Sequence, residues 1–290
     1  DIEGNSYLDF LGGIAVNLLG HSHPKIIEAI KEQCERYMHL SNYFYQDAQI
    51  KLAEKLLQLT GYNRVFFANS GTEANEGALK ICRRWGNQRN KKIVIAFTNG
   101  FHGRTYGSLS LMDKPKYKEL MEPFLDNIKI LPYNNIKALE KEINTTTAAV
   151  FLEFIQGEGG LEEASEEFIN MLWHLKNKFN FLIVADEIQS GIYRTGNFFA
   201  FNKFNVQPDI VTLAKGLGGG LPLGGILLKE SLANIFEKGM HGTTFGGNAV
   251  ACASGLAVLD EISQNLISHI NLISKYLWKQ LNNLADKFPN

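Results

Sequence analysis

Cysteine is scarce in this chain of 290 residues, with three in all: Cys34, Cys82 and Cys252. They are far apart and fit neither a disulfide nor a zinc-binding spacing. They read as buried thiols of a reducing compartment, which makes the cytoplasm the default location. Neither sign of charge is in excess. Against 30 Asp and Glu stand 29 Lys and Arg, a net charge of −1, so there is no electrostatic case for nucleic acid or an anionic membrane. No apolar run approaches transmembrane length, and no signal peptide is visible. The chain opens on Asp1 in mid-pattern, so a targeting segment ahead of it, and with it an organelle, stays open. Internal repeats, low-complexity runs and clear linkers are missing too. What is present is the composition of a soluble globular protein, 45% hydrophobic and 20% charged. The length suits one large domain or one and a half.

The rest of the chain is organised around Asp209–Gly220 (DIVTLAKGLGGG), an apolar run that reads as a buried strand, ends in Lys215 and passes at once into glycines. Desolvation disfavours the ammonium form of such a lysine and lowers its pKa. That cost is tolerated where a neutral amine is wanted, as in a Schiff-base lysine. The glycines, lacking Cβ, let the backbone pass close to a bulky ligand. A strand, a snorkelling lysine and a flexible loop would read the same way, and a second strand decides between them. Phe181–Ala185 is another continuous apolar run, the mark of a strand covered on both faces, and it stops at Asp186-Glu187-Ile188-Gln189. In an open α/β sheet, ligands sit beyond the carboxyl ends of the strands, so Asp186 and Lys215 are expected to face one crevice. A carboxylate beside a Schiff-base lysine suits a pyridine cofactor: it keeps the ring nitrogen protonated, and the ring can then act as an electron sink.

From the amino end, Asp1–Phe10 reads as a small hairpin with turn chemistry at Glu3-Gly4-Asn5. His21-Ser22-His23 precedes Pro24, which suits a first helical residue. With no carboxylate cluster to complete a site, no metal is expected. A helix over Asp47–Leu59 ends at Gly61, and a strand follows over Arg64–Ala68. Ser70 and Glu73 then form a capping box for a helix from Gly71 to about Trp85, stopped by Gly86. Its free amides, the hydroxyls of Ser70 and Thr72 and the helix dipole make a phosphate seat, although any capped helix has this chemistry. Lys92–Phe97, Asn127–Leu131 and Ala148–Leu152 read as strands, and Glu166–Phe179 as a helix. In the loop Asn99–Thr105, Phe101 could stack on a flat cofactor and Arg104 could clamp a carboxylate, or the loop could simply lie at the surface. Acids and glycines recur at Glu153–Gly160. Leu223–Leu228 reads as a strand that runs antiparallel, since no helix separates it from its predecessor. His241–Asn248 opens a helix near Ala249, and the tail from Ile262 is helical to Phe288, ending at Pro289-Asn290. Strands alternating with helices from Arg64 to Leu213 argue a mainly parallel, helix-covered sheet.

With these segments assembled, the chain resembles the class III pyridoxal-phosphate aminotransferases, in particular the acetylornithine aminotransferase group. The likeness covers essentially the whole sequence. It rests on Asn69–Glu76 (NSGTEANE), Phe101–Thr105, Gln156–Gly160, Asp186–Gln189 with Arg194-Thr195-Gly196, Ala214–Gly220 and His241–Asn248 (HGTTFGGN), all in the family's order. The resemblance implies a three-layer α/β fold of fold type I, with a mainly parallel seven-stranded sheet flanked by helices. It implies a large cofactor-binding domain over residues 32–264 and parts of a smaller, incomplete domain in 1–31 and 265–290. It also implies pyridoxal 5′-phosphate as cofactor. Lys215 would be the Schiff-base lysine and proton shuttle, and Asp186 would pair with the pyridinium nitrogen. Gln189 would approach the phenolic oxygen, with Glu187 and Ile188 beside it in the cofactor site. Ser70, Gly71 and Thr72 would hold the phosphate, and Phe101 would stack on the ring. Arg104 would take the substrate's α-carboxylate. Thr243 and Thr244 would reach across a homodimer interface, the first towards substrate and the second towards the phosphate. Glu158 would mask a second arginine until a dicarboxylate arrives.

Two departures from the family pattern stand out. Phe154 occupies a position where relatives usually have proline, and relatives extend further at both ends. The implied reaction moves an amino group from a small-molecule donor, N-acetylornithine foremost, to 2-oxoglutarate in two half-reactions, within arginine biosynthesis. Ornithine, succinylornithine and 4-aminobutyrate transamination, or an aminomutase, are the alternatives within pyridoxal chemistry. A dinucleotide-dependent oxidoreductase fits less well, because Gly216–Leu221 lacks the third glycine of the G-x-G-x-x-G fingerprint and no suitable helix follows. Against a non-catalytic metabolite-binding homologue stand the intact Lys215 and Asp186.

Overall fold

Runs of β-branched and aromatic residues build the sheet of this computed structural model, which describes residues 1–288. Pro289 and Asn290, the expected end of the tail, lie outside the described residues. In chain order the strands are β1 (Arg64–Ala68), β2 (Ile93–Phe97), β3 (Ile128–Leu131), β4 (Thr147–Leu152), β5 (Ile155–Gln156), β6 (Glu162–Glu163), β7 (Leu182–Asp186), β8 (Ile210–Leu213) and β9 (Gly224–Leu228). Seven of them form one sheet in the order β1-β9-β8-β7-β4-β2-β3, while β5 and β6 make a small separate ribbon. Neighbours from β3 through β8 are parallel. β9 runs antiparallel to both β8 and β1, as its short connection requires.

The helices are α1 (Gly12–Ala15), α2 (Pro24–Arg36), α3 (Asp47–Thr60), α4 (Gly71–Asn87), α5 (Tyr106–Ser110), α6 (Ile136–Glu142), α7 (Glu166–Phe179), α8 (Ala249–Glu261) and α9 (Gln264–Lys287). The period-two alternation of a strand assigns each central residue to one of two apolar layers. On β7, Leu182 and Val184 belong to the apolar layer of Ala74, Ala78 and Cys82 of α4, whereas Ile183 and Ala185 belong to the layer on the other face that also holds buried residues of α3, α7 and α8. Both faces are therefore covered, which is why these strands read as unbroken apolar runs. On α3, Leu52 and Leu56 are fully buried, each worth about 1.5–3 kcal/mol of apolar transfer.

Several expectations need correction. Asp1–Phe10 forms no hairpin: no strand pairs with it, and the Asp1 carboxylate curls the segment on itself by accepting from the Glu3 and Asn5 amides at 2.9 Å each. α4 does not stop at Gly86 but runs to Asn87. Gly86 lies inside it because a Cβ there would come within 2.6 Å of Ala148 Cβ, so the helix packs tightly on β4. Cys34 is exposed on α2, so two of the three thiols are buried rather than all of them. α2 is continuous from Pro24 to Arg36 and packs on α8. α9 has no buried residue. Among the described residues no helix is long and apolar enough to cross a membrane.

Candidate active site

The parallel pairing of β7 with β8 sets Asp186 opposite Thr212, and Lys215 follows three residues beyond Thr212 as the chain leaves the sheet. Lys215 turns there with φ 44°, a left-handed conformation that is costly for a residue with a side chain and is kept where the surroundings enforce it. Asp186, at the end of an alternating strand, falls on the α4 side of the sheet. Both residues line one cavity of about 440 Å³, a size usual for small-molecule sites.

Three groups fix the Asp186 carboxylate, which is 4% exposed. Asn75 Nδ2 donates to its Oδ2 at 2.7 Å, and His102 Nδ1 meets the same oxygen at 2.8 Å. The Ile188 amide donates to Oδ1 at 3.1 Å. Asn75 is itself locked, accepting from Thr212 Oγ1 at 2.9 Å and donating to the His102 carbonyl at 2.8 Å. Burial alone would pull the His102 imidazole down. The hydrogen bond and charge of Asp186, with a further contribution from Glu153, more than offset this and raise it, favouring the charged ring. Burial pushes the Lys215 ammonium below its usual range, and the nearby acids Asp186, Glu158 and Glu153 only partly oppose that. An amine of lowered pKa is the nucleophile that carbonyl chemistry needs. Glu153 is buried in the cavity wall and its carboxyl is raised by that burial. It accepts from the Phe101 amide at 2.9 Å.

The phosphate seat takes its form from the start of α4. Ser70 Oγ accepts from the Glu73 amide at 3.3 Å, and Glu73 Oε2 reaches back at 2.8 Å to the amide of Asn69, one residue before the cap. The amides of Gly71 and Thr72 have no protein partner among the described residues and open onto the cavity, together with the helix dipole. Thr72 ties this end to the neighbouring loop, its Oγ1 lying 2.9 Å from Thr105 Oγ1. Gly103 makes that approach possible: its φ is 131°, and a Cβ there would stand 2.2 Å from Thr72 Oγ1.

Of the residues picked out from the sequence, Ser70, Gly71, Thr72, Phe101, Arg104, Glu158, Asp186, Ile188, Gln189 and Lys215 all line the cavity. Glu187 is not among the residues that line it. The same alternation that turns Asp186 towards α4 turns Glu187 to the opposite layer. There it accepts from Ser190 Oγ at 2.6 Å and from the Ala200 and Phe201 amides at 3.0 and 3.2 Å. Thr243 accepts from Asn69 Nδ2 at 3.1 Å and faces a second cavity with Gln49, Phe66 and His241, while Thr244 is exposed and lines neither. Asn75, His102 and Glu153 join the site although nothing in their local sequence assigns the last two to it. A signal for the first existed: Asn75 is the polar residue on the stripe of α4 that continues through Ala78, Leu79 and Cys82, and a buried amide there needs a partner.

A fixed acid, a lysine of lowered pKa and two free amides at a helix start converge on one cavity at adjacent strand ends. This defines an α/β enzyme built around a phosphorylated ring cofactor. The family described as aminotransferase class-III matches residues 1–290. Acetylornithine aminotransferase of Methanocaldococcus jannaschii is 46% identical, over 99% of this chain and 73% of its own length. That of Aquifex aeolicus is 45% identical, over 98% of this chain and 76% of its own. Among solved structures, ornithine aminotransferase of Toxoplasma gondii is 34% identical with a TM-score of 0.86, covering 90% of this chain; this chain spans 63% of it. An amine transaminase from an uncultivated Pseudomonas species, solved in its PLP-bound form, is 27% identical with a TM-score of 0.91, covering 99% of this chain and 74% of its own.

The chain belongs to the class III aminotransferase family. Its cofactor is pyridoxal 5′-phosphate, and the residues present fit that group: free amides for the phosphate, an anchored carboxylate for the ring nitrogen, and Lys215 as the one lysine of the cavity wall among the described residues.

Proposed function

We propose that this protein moves an amino group from N-acetylornithine to 2-oxoglutarate, within arginine biosynthesis. The observation that carries the reading is the meeting of Lys215 and Asp186 in one cavity beside the start of α4. Identities of 45–46% to acetylornithine aminotransferases, against 34% to a solved ornithine aminotransferase, support the choice of donor, with ornithine as the second reading.

Bound pyridoxal phosphate supplies an electron sink for the bonds at the substrate's amine-bearing carbon. The chain's own residues do the rest. Lys215 Nζ holds the cofactor, then takes the proton from the substrate carbon and returns it. The Asp186 carboxylate, oriented by Asn75 and His102, keeps a proton on the ring nitrogen. Ser70, Gly71 and Thr72 would hold the phosphate, Phe101 would stack on the ring with Ile188 beside it in the same site, and Gln189 would bind the phenolic oxygen. Arg104 takes the substrate's α-carboxylate, and Glu158 governs a dicarboxylate's second acid. Thr243 and Thr244 serve the site of a second copy in a homodimer, a reading supported by their position outside this chain's own cavity. Residues 265–290 belong with a smaller domain, in keeping with the exposure of α9, and residues 1–31 join it although α2 crosses that boundary. Unpaired thiols suit the cytoplasm.

The test is turnover of the cofactor-loaded protein with acetylornithine, ornithine, succinylornithine and 4-aminobutyrate, each against 2-oxoglutarate. Acetylornithine should give the highest kcat/KM. A higher value with ornithine would replace the first reading by the second.

A further inference from the structure

Arg104 reaches the cavity with no hydrogen-bond or ion-pair partner for its guanidinium among the described residues. An aromatic ring holds it instead. Its Cζ lies 3.6 Å from the centroid of the Tyr117 ring and 5.8 Å from that of Phe101. The two rings meet edge to face, with centroids 6.5 Å apart. At 3.6 Å the guanidinium carbon lies over the ring, a cation–aromatic contact that holds the group without a hydrogen-bond acceptor and so leaves its N–H donors for a carboxylate.

The segment that carries Tyr117 is fastened to two loops that line the cavity, those of Phe101 and Arg104 and of Glu158. Asp113 Oδ1 accepts from the Asn99 amide at 3.0 Å, at the root of the loop bearing Phe101 and Arg104. Lys114 Nζ donates to the Glu158 carbonyl at 3.3 Å, on the other loop. Lys118 Nζ closes the turn behind Tyr117 by donating to the Met112 carbonyl at 2.8 Å. A five-residue bracket thus spans the two loops.

We propose that Asp113–Tyr117 is a positioning element for substrate carboxylates, in which Tyr117 holds the Arg104 guanidinium ready for a carboxylate. This rests on the assignment of the substrate's α-carboxylate to Arg104. Without the ring, the long Arg104 side chain pays its ordering cost each time a substrate binds; stacked on Tyr117 it has already paid most of it. The effect belongs to carboxylate binding and is absent from the reaction of an amine that carries no carboxylate.

The test uses the cofactor-loaded protein and three variants, Tyr117→Leu, Tyr117→Phe and Arg104→Gln. Tyr117→Leu should raise KM for the carboxylate-bearing donor by about 3- to 30-fold, the range a cation–aromatic contact supports, with kcat little changed. Tyr117→Phe keeps the ring face and should restore the wild-type KM. Glutarate affinity by calorimetry should follow KM, and the single-turnover rate with a simple primary alkylamine should be the same in Tyr117→Leu as in wild type. If Arg104→Gln leaves KM for the carboxylate substrate unchanged, the assignment to Arg104 falls. If Arg104→Gln raises it and Tyr117→Leu does not, the role of Tyr117 is overturned. An equal slowing of the alkylamine in Tyr117→Leu would also overturn it, since Tyr117 would then only support the fold.

Discussion

Replacing Asp186 with asparagine keeps the side chain's shape, removes its charge, and has a cost that follows from its partners. Asn75 Nδ2 and His102 Nδ1 converge on one carboxylate oxygen at 2.7 and 2.8 Å, and the Ile188 amide donates to the other at 3.1 Å. Asparagine has a single acceptor oxygen. Turned towards Asn75 and His102, it sets its NH2 group against the Ile188 N–H. Turned the other way, it sets that NH2 against Asn75, whose own amide cannot flip without losing its bonds to Thr212 and the His102 carbonyl. Either way at least one buried donor goes unpaired, at about 1–3 kcal/mol, or a fall of roughly 2–12 °C in melting temperature. The charge that raises His102 against its burial is lost as well, so the burial that lowers it is opposed only by Glu153. With no carboxylate to keep the ring nitrogen protonated, turnover should fall by at least about 100-fold. Visible absorption of the cofactor should persist, because Lys215 is untouched. The assay is melting, absorption and steady-state rate on one preparation. An Asp186→Asn variant that melts with the wild type and turns over within a few-fold of it would refute the reasoning.

Glu187 carries a pH prediction. Burial raises its carboxyl from 4.5 to about 7, so the folded chain holds a proton that the unfolded chain has released. Its contribution to stability is complete below pH 4.5 and is lost as pH rises through about 7, on the order of 3 kcal/mol in all. Denaturant unfolding should therefore show Glu187→Gln gaining on the wild type between pH 5 and pH 8, and a difference that stays flat with pH would contradict this. Gly157→Ala places a Cβ 1.1 Å from Gln189 Oε1, forcing that side chain to swing aside. Cofactor affinity should weaken and the visible band should move, while melting stays within a few degrees of wild type. An unaltered spectrum would show that Gln189 does not touch the ring.

The features legible in the sequence are those carried by contiguous residues. β7 and β8 were readable as apolar runs that end in a charge, and the helix of Gly71 from its Ser70–Glu73 cap. Even the antiparallel β9 followed from the lack of a helix before it. The direction of Glu187 is legible too, since period two sends it away from Asp186. Contacts across long separations were not legible. Asn75 and His102 meet Asp186 from 111 and 84 residues away, and nothing local in either residue names that partner. The amino end misled because turn residues and Tyr7-Leu8-Asp9-Phe10 suit a hairpin locally, yet a hairpin needs a further surface to pack on, and none covers it here. Gly86 misled in the opposite way: it marks a close approach of α4 to β4 rather than the helix end.

The most direct measurement of the central claim is to load the protein with pyridoxal 5′-phosphate, fix the linkage with borohydride and map the modified peptide by mass spectrometry. The added mass should lie on Lys215 alone, and Lys215→Ala should lose both the mass and the visible absorption. Attachment to another lysine, or to none, would contradict the account.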